Sequence, residues 1–391
     1  MLCKLNSLVL FRGLRKDPVL AALCRLCEVP DGQEAAQIDA WAAFAAALLQ
    51  QDTNLSRYIL QLVLADENLY TDAYIAGEER VHSLEPLLQR ELTILEAAGQ
   101  YTGDTLPESI RAYCPCCWQT EPIDYAAQYR QRLAHIGETG FGIFARFDAF
   151  TVEADGRLTG IRAHNVRRLE QMYSYDAERR KVLANTAALV EGRPACNVLL
   201  YGDAGTGKSS TVKAVASHFS SRGLRLIELP KSRIGLLPQL VKRLESNPLK
   251  FIVFIDDVIF SPDDPDFCLL KTVLDGDSAG ISPNMAVYVT SNHRHLVKES
   301  AVERSGAVSE ADHIQSALAL ASRFGITVTF LRPERREYEN IIYAMASEKG
   351  IQCDRQQLLT KAEAYAIRNG GRTPRTAQQF IDLVAAGVEQ I

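Results

Sequence analysis

Two hydrophobic periods divide the chain. From Asp17 to about Gln100 the apolar residues recur at helical spacing, as in AWAAFAAALLQQ and LEPLLQRELTILEAA, and Ala, Leu, Gln and Glu dominate. Between Tyr101 and Pro122 this pattern gives way to Gly, Pro and a cysteine cluster. The stretch AAQYRQRLAHIG predicts one more helix, and FGIFARFDAFTVEADGRL alternates like a hairpin turning at Asp155 and Gly156.

A different organisation begins near Ile161. SYDAERRKVLANTAALVEG predicts a helix stopped by Gly192 and Pro194. The apolar runs NVLLYG, LRLIEL, FIVFID, MAVYVTS and GITVTF then alternate with helical patterns, the one after LRLIEL ending near Asn247 and Pro248. Near-continuous apolar strands separated by helices predict a parallel sheet covered on both faces. After Pro333 only helical patterns remain, in EYENIIYAMASEKG, RQQLLTKAEAYAIRNGG and TPRTAQQFIDLVAAGVEQ. The expected division is a mostly helical region over 1–160, an α/β core over 161–331 and a small helical domain over 332–391. No internal repeat or low-complexity tract interrupts it.

Composition changes this picture little. The 391 residues are 47% hydrophobic and 23% charged, ordinary for a globular chain, and the formal net charge is -5. That balance argues against coating nucleic acid by bulk electrostatics. The basic run Arg157, Arg162, Arg167, Arg168, Arg179, Arg180, Lys181 reads as a solvated helix face. The first residues, MLCKLNSLVLFRGLRKD, lack a long apolar stretch with a small-residue cleavage site, and no span is long enough to cross a bilayer, so the expectation is a cytoplasmic protein without membrane contact. Among nine cysteines, Cys24 with Cys27 and Cys114 with Cys117 offer two pairs that formally make a four-thiolate zinc site. Their separation exceeds that of common zinc ribbons, and buried or surface thiols are the commoner outcome.

The chemistry concentrates in one motif. Gly202-Asp-Ala-Gly-Thr-Gly-Lys208-Ser209 fits G-x-x-x-x-G-K-[ST] at every fixed position and stands between the strand NVLLY and the helix KSSTVKAVASHF. Gly202, Asp203, Ala204, Gly205, Thr206, Gly207, Lys208, Ser209 and Ser210 are therefore expected to cradle the phosphates of ATP. Glycines let successive backbone N–H groups face inward, and the helix that follows points its positive dipole end at the same place. Lys208 is expected at the β- and γ-phosphates, and Ser209 at Mg2+.

Two adjacent carboxylates end the apolar strand FIVFIDD. A carboxylate there is costly unless donors or a cation meet it, so the pair is either a strand-end cap or an ion site. With a phosphate cradle in the chain, Asp256 is the expected metal-side residue, reached directly or through a water. Asp257, one step on, is expected to polarise the attacking water.

The order of these features resembles that of AAA+ ATPases. More closely, NTAALVEGRPACNVLLYGDAGTGKSSTVKAV, KFIVFIDDVIF, TSNHRHLV and SRFGITVTF resemble the bacterial AAA+ family catalogued only as a domain of unknown function, number 815, from about Ile161 to the end. The resemblance implies a three-layer αβα P-loop core with a parallel sheet, a helical C-terminal lid and ATP hydrolysis. It matches Asn292 to the sensor-1 asparagine and Arg323 to an arginine finger acting across subunits of a homo-oligomer. Arg375 matches the sensor-2 position on the lid, with Arg372 as its competitor. A strand-end turn, a surface ion pair and helix capping are the plainer roles for these residues. Asp257 stands where vigorous AAA+ hydrolases carry glutamate, which is compatible with slow turnover. KSRIGLLPQL lacks the aromatic pore-loop residue of protein-threading rings, and the polar segment from Lys298 to Gln315 reads as a loop at a subunit contact. The implied function is a nucleotide-dependent switch or remodelling factor acting on an unknown protein client. A non-hydrolysing ATP-gated scaffold and a nucleic-acid-associated loader are the alternatives.

Overall fold

The computed structural model describes residues 2–30, 32–104, 106–162, 167–260, 264–275, 281–292 and 323–388. The expected loop from Lys298 to Gln315 lies outside them. The chain divides into two compact units, Met1–Arg146 and Phe147–Ile391.

The first unit is helical, as its 3.6-residue period predicts. Its longer helices are Pro18–Glu28, Glu34–Leu49, Leu55–Ala65, Leu69–Ala76, Arg80–Gly99 and Tyr125–Ala134. Asp17, Asn54 and Asn68 cap three of them by accepting first-turn backbone N–H groups, which satisfies donors that no helical carbonyl reaches. The core is apolar and aromatic. Phe44 meets Trp118 edge-on with ring centroids 5.0 Å apart, and the Trp118 indole donates to the Tyr101 carbonyl at 2.8 Å. Cys24 and Cys114 are buried in this core, and burial pushes the Cys27 thiol up to about 11. Among the described residues no group of three His, Cys, Asp or Glu side chains is arranged to hold a metal ion. None of the described helices is long and apolar enough to cross a membrane.

The second unit is built on one seven-stranded sheet. Its strands are β1 (Ala149–Val152), β2 (Leu158–Ile161), β3 (Val198–Gly202), β4 (Leu224–Glu228), β5 (Lys250–Ile255), β6 (Met285–Ser291) and β7 (Ile326–Phe330). The order is β2-β1-β4-β5-β6-β3-β7; β2 runs antiparallel to β1, and every other pair is parallel. Val198, Leu200, Phe254 and Tyr288 pack on one face with Val212 and Val215 of the helix Lys208–His218 and with Phe219, which caps its end. The alternate residues Leu199, Val253 and Val287 are buried as well, so both faces are covered, which is why these strands read as unbroken apolar runs.

The boundary differs from the sequence expectation. The hairpin β1–β2, placed by its pattern at the end of the N-terminal region, belongs to the sheet: Ala149, Phe150 and Thr151 pair with Leu226, Ile227 and Glu228 of β4. The division therefore falls after Arg146 rather than at residue 160. A period-2 pattern reveals a hairpin but not the distant strand that its edge will join.

Three helices close the unit, Arg335–Glu348, Arg355–Arg368 and Pro374–Ala385. They share a core in which Ile341, Ile342 and Met345 meet Leu358, Ala362, Phe380 and Ile381. Thr373 begins the last of them, its hydroxyl accepting from the Thr376 N–H, and Pro374 occupies the first turn, where its missing N–H costs nothing.

Asp66 of the first unit gives a test of packing. Burial pushes its carboxyl up to about 6 from 3.8, with Glu67 adding to the rise, against the Asn68 hydrogen bond and the Arg146 charge. A raised folded-state value means stability that is complete below pH 4 and lost as pH climbs through 6. Both tryptophans, Trp41 and Trp118, lie in this unit and report its unfolding. The fluorescence-monitored midpoint is expected to fall between pH 4 and pH 7 in the wild type and to fall less in Asp66→Asn. An equal fall in the two proteins contradicts the assignment.

Candidate active site

The loop after β3 is shaped by its glycines. Gly202, Gly205 and Gly207 have φ of 132°, 80° and 95°, a region that side-chain-bearing residues rarely enter. Gly202 is also pressed against β7, where a Cβ would lie 2.1 Å from the Phe330 carbonyl oxygen. The Asp203 N–H donates to that same carbonyl at 2.9 Å, so the loop leaves the sheet in a fixed direction. The helix Lys208–His218 starts at Gly207 without a side-chain cap, which leaves its first-turn N–H groups available to an anion.

Lys208 is the electrostatic centre. Its side chain is buried, and its ammonium donates to the Gly202 carbonyl, the Asp203 carbonyl and Asn292 Oδ1, each at 2.8 Å. Burial holds its pKa below the ordinary lysine range, against the opposing pull of Asp257, Asp203 and Asp256. Such a cation is strongly stabilised by an arriving phosphate.

The acidic pair stands opposite. Ser209 donates its hydroxyl proton to Asp256 Oδ1 at 2.5 Å, so the serine lone pairs remain available to a cation held beside the carboxylate. Asp257 has φ of 50°, a left-handed turn off the end of β5 that directs it away from the strand line. Its Oδ1 accepts from Asn292 Nδ2 at 2.6 Å. Asn292, just past the end of β6, thus touches both Lys208 and Asp257.

These groups line a cavity of about 500 Å³. Ala204 to Ser210, Asp256, Asp257, Asn292 and Arg375 all face it; Gly202 and Asp203 stand behind it, the first bonded to Lys208 and the second to Arg332. The donor set suits a phosphate with a bound cation: first-turn N–H groups without a side-chain cap, a buried ammonium, and a hydroxyl beside a carboxylate. Arg375 lines the cavity, and its backbone N–H donates to the Gly205 carbonyl at 3.3 Å. Arg372 instead pairs with Glu363 at 2.8 and 3.1 Å, and of the two arginines Arg375 is the one that lines this cavity. Arg323 is exposed just before β7 and does not line this cavity.

Several contributors were not legible beforehand. Arg167, Met172 and Tyr173 form another wall of the cavity. Arg167 donates to Gln378 Oε1 at 2.5 Å and Tyr173 to Glu348 Oε2 at 2.6 Å, so this segment is fastened to the closing helices. Burial and the Glu348 hydrogen bond push the Tyr173 hydroxyl up to about 12. The basic run is also not one solvated face: the Arg179 side chain is buried, donating to the Met172 carbonyl at 2.9 Å and pairing with Asp176 at 2.6 Å. An arginine among charged neighbours on a helix carries no local sign of burial; only the carbonyl that it meets decides it.

Residues 145–388 match the family described as a protein of unknown function (DUF815). The chain belongs to this family. The 26S proteasome regulatory subunit 6B homolog of Encephalitozoon cuniculi (strain GB-M1) is 30% identical over 164 residues, which cover 40% of this chain and 41% of that protein. This chain therefore spans less than half the length of that relative. Solved structures of RuvB from Thermotoga maritima are also similar. One variant matches with TM-score 0.40 and 19% identity over 56% of this chain and 64% of that one. The RuvB Holliday junction branch migration motor matches with TM-score 0.39 and 20% identity over the same shares, 56% and 64%. The family match and the cradle between β3 and its helix fit an AAA+ P-loop fold.

Gly202→Ala tests the cradle. The left-handed backbone alone costs about 1–3 kcal/mol for a side-chain-bearing residue, and the Phe330 contact adds to it. The variant is expected to unfold at lower temperature and to lose binding of a fluorescent ATP analogue. Unchanged affinity sinks the assigned geometry.

Proposed function

We propose that the protein binds Mg-ATP and hydrolyses it to ADP and phosphate, acting as a nucleotide-dependent switch in an assembly of its own copies. The observation that carries this reading is the convergence of Lys208, Ser209, Asp256, Asp257 and Asn292 on one cavity behind a glycine cradle. The loop N–H groups and Lys208 bind and orient the β- and γ-phosphates, and Ser209 with Asp256 holds Mg2+. When bound, Mg2+ neutralises charge on the phosphate oxygens. Asp257 and Asn292 orient a water for in-line attack on the γ-phosphorus; the water's proton passes to Asp257, the bond to the β–γ bridging oxygen breaks, and ADP and phosphate leave. Arg375 reads the phosphates from the lid. Arg323, exposed and outside the cavity of its own chain, is proposed to complete the site of a neighbouring copy, where a cation stabilises the charge of the transition state. The protein partner on which the switch acts is a client of unknown identity.

Purified protein is expected to release phosphate from ATP. Lys208→Ala should reduce this to background, and Asp257→Ala should reduce it roughly 100- to 10,000-fold, as for loss of a group that activates water. Arg323→Ala should bind ATP normally yet lose turnover and ATP-dependent assembly in size analysis. Equal residual rates in wild type and Lys208→Ala would mean that the activity belongs to a contaminant.

The Asn292–Asp257 hydrogen bond at 2.6 Å supports a second reading, in which the carboxylate is held out of action and ATP binding alone orders a scaffold. Tight ATP binding without turnover at high protein concentration distinguishes it.

A further inference from the structure

We infer that Thr290 is a positioning residue that sets the direction of both carboxylates of the acidic pair; this rests on the reading above that Asp256 and Asp257 serve Mg-ATP. Thr290 lies on β6, next to the residue that pairs with the end of β5, since Ile255 is opposite Val289. Two positions past Ile255 the chain has left the sheet: Asp257 turns left-handed with φ of 50° and gives up the ladder. Thr290 replaces the lost bonds. Its hydroxyl oxygen accepts from the Asp257 N–H at 2.8 Å, and its carbonyl accepts from the Val258 N–H at 2.8 Å. The same hydroxyl donates its proton to Asp256 Oδ1 at 2.5 Å.

A hydroxyl has one proton and two lone pairs, so this side chain can orient one neighbour as donor and the next as acceptor at once. Thr290 is 1% exposed, so water does not substitute for either bond without a rearrangement. Asp256 Oδ1 accepts from Thr290 on one side and Ser209 on the other, which fixes the carboxylate relative to the hydroxyl proposed to hold the metal. The backbone bond does the equivalent for Asp257, because it holds the left-handed turn from which that carboxylate reaches Asn292. Valine has the shape of threonine without the hydroxyl; serine keeps the hydroxyl and drops the methyl.

The test measures Mg2+-dependent binding and turnover of ATP by full-length wild type, Thr290→Val and Thr290→Ser. Thr290→Val is expected to need about tenfold more Mg2+ for half-maximal tightening of nucleotide binding, and to lose about tenfold or more in kcat, the scale of one charge-assisted hydrogen bond. Its KM for ATP and its affinity for ATP in EDTA should stay near wild type, which a general loss of folding would not allow. Thr290→Ser should recover most of the Mg2+ response. Thr290→Ala replaces Thr290→Val if the latter does not bind ATP in EDTA. A wild-type Mg2+ requirement in the hydroxyl-free variant, or a serine variant as impaired as the valine one, overturns the assignment. If the wild type binds ATP without turnover, the hydrolytic reading fails, and the Mg2+ dependence of binding still decides the role of Thr290.

Discussion

The buried ammonium of Lys208 is the group around which the second unit is arranged. Removing a lysine charge from water is expensive unless hydrogen-bond acceptors and opposite charges surround it. Here the acceptors are the Gly202 and Asp203 carbonyls and Asn292, and the opposing charges are Asp257, Asp203 and Asp256. For two carbonyls to turn toward one nitrogen, the chain must leave β3 through a conformation that only glycine adopts at low cost. The aspartates in turn must end a strand adjacent to the β6 end that carries Asn292. The parallel sheet meets both demands, since all its central strands end on the same side.

A site so arranged holds its charges in balance before any ligand arrives, and this bears on what ligand binding must change. Asn292 donates to Asp257 and accepts from Lys208, so it joins the cation to the carboxylate through a neutral amide. On the function proposed above, a γ-phosphate that took Lys208 would compete with the amide oxygen for the same proton. The other end of the same amide holds Asp257.

Much of this was legible in the sequence because it is local. The spacing from Gly202 to Ser209, the apolar run before Asp256 and the strand before Asn292 each lie within a few residues of one another, and the structure brings them to one cavity. What escaped depends on distant pairing. The hairpin joins the sheet only through β4, more remote in the chain than any pattern window reaches. Arg179 looks like its charged neighbours until the Met172 carbonyl meets it. Thr290 is an ordinary β-branched strand residue by propensity, and its hydroxyl matters only because Asp256 and Asp257 lie alongside. The left-handed turn at Asp257 has no sequence mark either, since aspartate tolerates it without requiring it.

The closing helices are tied to the cradle rather than merely packed near it. The Arg332 backbone N–H donates to Asp203 Oδ2 at 2.9 Å, with its guanidinium 3.5 Å from Oδ1, and the Arg375 N–H reaches the Gly205 carbonyl. The segment bearing Arg167 and Tyr173 is bonded to the same helices through Gln378 and Glu348. A ligand can shift a conformational equilibrium only by as much as it distinguishes the two states. On the function proposed above, a nucleotide that drew Arg375 inward would have to exchange the bond that its backbone N–H makes to the Gly205 carbonyl, so the helix Pro374–Ala385 would register what the phosphate loop holds.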